Sequence, residues 1–203
     1  MHLFDAPLYS QLLAALLSSI LLLKKRTFFI KVLTLYLVIT FVVELIGTYL
    51  SSIRGANFRL YHYYAIFSYF TIFILFRSVL KEKKYLKIVY VLLGLLVILW
   101  GLTFFDKNYM HYTAMLGSLC IGGLIFLYLR ELLLSNEIVN YKKLLPFWVS
   151  VGFLVFHLPA IPFFSFWSYM KNRDLVPILH ALIVLMNIII SFGLIWSSRK
   201  VEY

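Results

Sequence analysis

Long apolar runs separated by short polar turns organise the whole chain. Seven of them, at residues 7–23, 31–52, 60–80, 86–105, 111–133, 145–167 and 175–196, are long enough to cross a bilayer core of about 30 Å. Continuous apolar stretches of this length predict helices, because a membrane barrel would show shorter segments of alternating polarity instead. The expected fold is therefore all-α: a single polytopic transmembrane domain of seven helices over residues 1–203. The first run is read as a retained helix and not a cleaved leader. MHLFDAPLYSQ has no Lys or Arg and carries Asp5, while the basic Lys24-Lys25-Arg26 follows the apolar stretch instead of preceding it. The longest connection, around LLSNEIVNYKK, leaves no room for a soluble catalytic domain.

Composition fixes the solvent. Hydrophobic residues make up 63% of the chain and charged residues 13%, against roughly 45–50% and about 25% in soluble domains. So much apolar surface needs lipid as a partner. The 15 Tyr and 4 Trp suit the headgroup boundary, where ring and polar tip are both satisfied. A net charge of +11 raises the question of nucleic acid, but the basic residues sit in short clusters between apolar runs and form no stripe on a soluble face. That argues against a nucleic-acid partner. Of the 19 Lys and Arg, fourteen fall in the turns after runs one, three and five or in the C-terminal tail. Positive-inside bias then predicts a non-cytoplasmic N-terminus and a cytoplasmic C-terminus, with the bacterial inner membrane as the expected location. The lone Cys120 excludes an intrachain disulfide and a thiolate metal cluster.

Polar residues inside spans are costly and commonly face the bundle interior or a cavity. They recur at helical spacing: Gln11 and Ser18; Thr40, Glu44, Thr48 and Ser51; Tyr61, Tyr64, Ser68 and Thr71; Ser118 and Gly122; Ser150 and His157; His180, Asn187 and Ser191. The fourth run has nothing comparable beyond Gly94, Trp100 and Gly101, and is expected at the lipid-facing periphery. In the predicted orientation Glu44, His62, His111, His157 and His180 all fall in the outer half of the bilayer or at its edge. This predicts an outward-facing polar pocket lined by Glu44, Tyr61, His62, His157, His180 and Asn187. Arg54, Arg59, Asp106, Lys107, Arg173 and Asp174 would surround its mouth. An uncompensated carboxylate in a span costs about 2.5–3.5 kcal/mol, so Glu44 must be paired, protonated or functional. In the run HLPAIPFF, Pro159 and Pro162 remove two backbone donors and predict a kink outside His157.

Family patterns narrow the reading. LVPILHALIVLMNIIISFGLIW holds no lysine for a retinal Schiff base, which argues against retinal. The zinc amidases related to ceramidases carry an HxxxH pair on the last helix, whereas Val184 stands four residues after His180. Trp motifs of vitamin-type transporters are missing too. Glu44-Leu45-Ile46-Gly47, Asn57 followed by Leu60-Tyr61-His62-Tyr63, Phe147-Trp148 with Gly152, and His180 with Asn187 resemble a group of small seven-helix membrane proteins common in Bacteroidota, some akin to the membrane sensor parts of histidine kinases. The resemblance spans most of the chain. It implies the fold and a sensing role, and no chemistry. Where that group has an apolar–Tyr–Phe run, this chain has Phe153 to His157, so the resemblance does not extend to His157.

Three functions compete. The first is a sensor or small-ligand-binding module that passes its signal to a membrane or cytoplasmic protein partner. The second is a metal-dependent intramembrane enzyme. No metal-spacing motif supports it, and His62, His157, His180 and Glu44 would be the ligands if there were any. The third is a proton-coupled transporter using Glu44 and a histidine as relay. No cofactor is named by the sequence.

Overall fold

The computed structural model describes residues 6–54, 58–105, 110–166 and 175–198. They form seven long helices: α1 (Ala6–Lys24), α2 (Phe28–Arg54), α3 (Phe58–Arg77), α4 (Lys83–Phe105), α5 (Met110–Leu133), α6 (Leu145–Phe166) and α7 (Val176–Ser198). A 3₁₀ segment, Asn136–Lys143, kinked at Asn140, joins α5 to α6.

Local chemistry explains where helices begin. The Thr27 hydroxyl accepts the Ile30 N–H at 3.4 Å, and its carbonyl accepts Lys31 N–H, capping α2. The Glu82 carbonyl takes the N–H groups of Tyr85 and Leu86 at the start of α4. Pro7, Pro146 and Pro177 stand in the first turns of α1, α6 and α7, where the missing N–H has no intrahelical role. The two prolines inside α6 do not end it: the helix runs unbroken through Pro159 and Pro162 to Phe166.

Six of the seven long helices are long and apolar enough to cross a membrane. The one outside that set is α3, where Tyr61, His62, Tyr63 and Tyr64 dilute an otherwise apolar sequence. Large apolar side chains such as Leu23, Val91, Ile98 and Phe126 stand exposed around the bundle, a surface that water would not tolerate and lipid does. The chain is an all-α, multi-pass membrane protein.

The helices pack as a closed ring, in the order α1, α2, α3, α5, α6, α7 and back to α1. Helix α4 lies outside it, against α3 and α5, and is the least buried of the span-like helices. The expectation for the fourth run thus holds. At the ring centre Phe153 of α6 meets Tyr36 of α2 at 5.4 Å and Phe76 of α3 at 6.2 Å between ring centroids. The α6–α7 contact is the most extensive, and glycines notch it from both sides. A methyl group on Gly152 would stand 2.8 Å from Ile190 Cγ1, and one on Gly193 would collide with Trp148. In α5 it is Gly117 that permits close approach, since Tyr69 lies across it. Gly122 meets only ordinary contact, with Leu158, and Gly123 faces open space.

Candidate functional site

Helices α2 and α3 are joined by a short link and packed together, so they run antiparallel. Polar residues on α2 recur one turn apart, at Tyr36, Thr40 and Glu44. Those on α3 recur at Tyr61, Tyr64 and Ser68. Antiparallel packing sets them opposite one another as three rungs. Glu44 shares a side-chain hydrogen bond with Tyr61. Thr40 Oγ1 lies 2.8 Å from the Tyr64 hydroxyl. Tyr36 hydrogen-bonds with Ser68 and also with Tyr64. Each rung is about 6 Å from the next, one helical turn.

The proton directions can be assigned in part. Thr40 donates its single hydroxyl proton to the Tyr36 carbonyl at 2.7 Å, so at its contact with Tyr64 it accepts, and Tyr64 donates. That leaves the Tyr64 oxygen to accept from Tyr36 or Ser68. Gly47, one turn beyond Glu44, clears the space in which the Tyr61 ring lies. A larger residue there would push the Tyr61 hydroxyl off the carboxylate.

Below the ladder the polar contacts turn across the ring. Tyr69, next to Ser68 on α3, donates to the Ala114 carbonyl of α5 at 3.0 Å and contacts the Ser118 hydroxyl. Ser118 is 3.1 Å from His157 Nδ1, and both are buried. His157 is enclosed by aromatic rings, with Phe156 at 5.1 Å, Tyr69 at 6.1 Å and Phe153 at 6.2 Å. Its role in the structure is to bridge α6 to α5 and α3.

The six residues predicted to line one pocket are thus distributed around the ring. Glu44 and Tyr61 meet. His62 turns the other way on α3 and packs edge-on to Trp100 of α4, with centroids 4.7 Å apart. His157 faces Ser118 on the α5 side. His180 is half-buried in the second turn of α7. Asn187, deeper on α7, is buried and donates Nδ2–H to the Ile183 carbonyl at 2.8 Å, while its Oδ1 has no partner among the described residues. Ser191 Oγ, one turn on, and Gln11 Oε1 of the adjoining α1 are buried and unpartnered in the same sense. Among the described residues no three His, Cys, Asp or Glu side chains are grouped to hold a metal, so His62, His157, His180 and Glu44 are not assembled as a ligand set. The side chains of His111, Arg54, Arg59, Asp106, Lys107, Arg173 and Asp174 lie outside the described residues.

Two members of the network escaped sequence reasoning, Tyr36 and Tyr69. Both are tyrosines in a chain with 15 of them, and a membrane tyrosine reads first as an interfacial anchor. A usable signal existed for Tyr36, which stands four residues before Thr40 and eight before Glu44, on one helical stripe. No family model, no curated protein and no solved structure matches the chain.

Proposed function

We propose that the chain is an integral membrane module that senses or binds a small ligand at a polar site centred on Glu44 and Tyr61, open to the non-cytoplasmic side. The observation that carries this reading is the ladder. A carboxylate on α2 is tied through Tyr61 to α3, two hydroxyl rungs lie below it, and a separate polar set, Tyr69, Ser118 and His157, joins α3, α5 and α6. A ligand that takes the Glu44 carboxylate from Tyr61 alters the α2–α3 contact, and the hydroxyl rungs give that change a route inward. Its chemistry would be complementary: a cation, or a group with several hydrogen-bond donors. His62, His157, His180 and Asn187 are engaged elsewhere in the bundle, so the site proposed is the Glu44–Tyr61 pair and not the six-residue pocket. The signal would leave through a protein partner, by helix movement.

The same reading includes all seven long helices as spans, with the N-terminus outside and the C-terminus in the cytoplasm of a bacterial cell. Support comes from charge. Fourteen of 19 Lys and Arg belong to the stretches where α1 joins α2, α3 joins α4 and α5 joins α6 or to the C-terminal tail. It also accords with the resemblance to small seven-helix membrane proteins and sensor modules.

A thermal-shift screen of small amines and polyols on the purified chain tests the binding role. A hit should raise the melting temperature by several degrees at saturating concentration. Glu44→Gln and Tyr61→Phe should each remove that shift, whereas Tyr90→Phe on peripheral α4 should keep it. Shifts that persist in both ladder variants would overturn the assignment.

A second reading is proton-coupled transport, with Glu44 and His157 as the titratable ends and the Thr40–Tyr64 and Tyr36–Ser68 hydroxyl pairs standing between them, separate from either end. Uptake into proteoliposomes that responds to an imposed pH gradient, and loses that response in Thr40→Val, would select it over sensing.

A further inference from the structure

The opposite end of the bundle carries a second built feature. Where α3 turns into α4, a hollow of about 570 Å³ is lined by Lys81, Glu82, Lys83, Lys84, Tyr85, Glu131, Leu134 and Ser135. Its two carboxylates are already engaged. Glu131 of α5 accepts the Lys81 N–H at 2.8 Å and the Glu82 N–H at 3.4 Å, which fastens the turn to α5. Glu82 lies 3.3 Å from Lys84 Nζ. Cations exceed carboxylates around it. Arg130 and Lys84 both stand over the ring of the buried Tyr85, at 5.8 and 5.0 Å from its centroid. Lys83 has no carboxylate partner among the described residues. The Tyr85 hydroxyl is buried without one of its own. The first N–H groups of α4 add the positive end of a 23-residue helix.

Position adds the second half of the argument. Lys83 opens a span-like helix and Leu133 closes another, so the hollow lies at a bilayer edge. Directly beside it Leu133 and Leu134 are 66% and 74% exposed. At a bilayer edge such leucines are well placed to meet acyl chains. A cationic hollow beside an exposed apolar strip at headgroup depth matches one kind of molecule.

We propose that this hollow is a binding site for an anionic phospholipid of the adjoining leaflet. The phosphate is held by Lys83, Lys84 and the N-terminus of α4, and the acyl chains lie over Leu133 and Leu134. The proposal stands independently of any function assigned to Glu44.

Native mass spectrometry of the full chain, released from micelles doped with phosphatidylglycerol or phosphatidylcholine, tests it. Phosphatidylglycerol should be retained in preference. The Lys83→Ala/Lys84→Ala double variant should bind it about thirtyfold more weakly, the scale expected of two interfacial lysines. Lys142→Ala/Lys143→Ala, which removes the same charge from the α5–α6 connection, should bind it as the parent does. Equal losses in both double variants would mean diffuse attraction to a basic face and overturn the site. Displacement of the adduct by inorganic phosphate would assign the hollow to a soluble phosphate compound and overturn the lipid assignment. Retention of both lipids alike would also overturn it.

Discussion

At the residue scale, the ladder between α2 and α3 is held by hydroxyls with few alternatives. Tyr64 is the hinge of the set, since it donates to Thr40 while its oxygen serves Tyr36 and Ser68. In Tyr64→Phe the ring keeps its packing, but Thr40 loses a donor and the Tyr36–Ser68 pair loses an acceptor. Leaving buried polar groups without partners costs about 1–3 kcal/mol. A loss of this size should appear in denaturation of the purified chain. Tyr63→Phe, at an exposed neighbour on the same helix, should cost far less. An equal loss in the two variants would show that the ladder contributes nothing beyond ring packing. Glu44 was legible in the sequence because a carboxylate inside an apolar run demands an explanation. Its partner was legible only as one polar residue among several. Which polar residues meet depends on the facing and register of two antiparallel helices, and neither can be read along a single chain.

At the element scale, close approach is decided by a few glycines. Gly193 faces the Trp148 Cβ so closely that any side chain there must move α6 or α7. Gly193→Leu should destabilise the chain by about 1–3 kcal/mol through overpacking. Gly94→Ala and Gly101→Ala, on the face of α4 with open space around them, should be neutral or stabilising by up to about 1 kcal/mol. Thermal melts of the three variants check the contrast, and comparable losses would contradict the close α6–α7 approach described here. The helices themselves were nearly all visible in advance, since apolar length alone marks a span. Their ends moved: α2 begins at Phe28 instead of residue 31, and α4 at Lys83 instead of 86. In both cases a cap set by Thr27 or Glu82 starts the helix a turn early, adding Phe28 to Ile30 to α2 and Lys83 to Tyr85 to α4. The prolines of α6 predicted a kink outside His157, and the helix runs through both of them to Phe166. A span can tolerate prolines when neighbouring helices and side chains satisfy the freed carbonyls.

At the scale of the whole molecule, ring closure was not visible in the sequence, because it depends on contact between the first and last helices. Helix α1 packs against α7, and Lys25 Nζ donates to the Ser197 carbonyl at 3.0 Å where both helices end. That contact places the ends of α1 and α7 together, in keeping with both helices running the same way. The proposed sides rest on the charge bias alone. Introduced cysteines provide a direct test, since Cys120 is buried and should not react with a membrane-impermeant maleimide. Ser52→Cys, exposed near the end of α2, should be labelled in cells whose outer barrier has been opened but whose inner membrane is intact. Lys84→Cys, exposed at the other end, should react only after the membrane is permeabilised. The reverse pattern would invert the molecule: Glu44 would then face the cytoplasm, and the ligand proposed for it would have to be an intracellular one. The lipid hollow would survive that inversion with its chemistry unchanged and only its leaflet exchanged, because its recognition rests on charge and apolar contact at a bilayer edge.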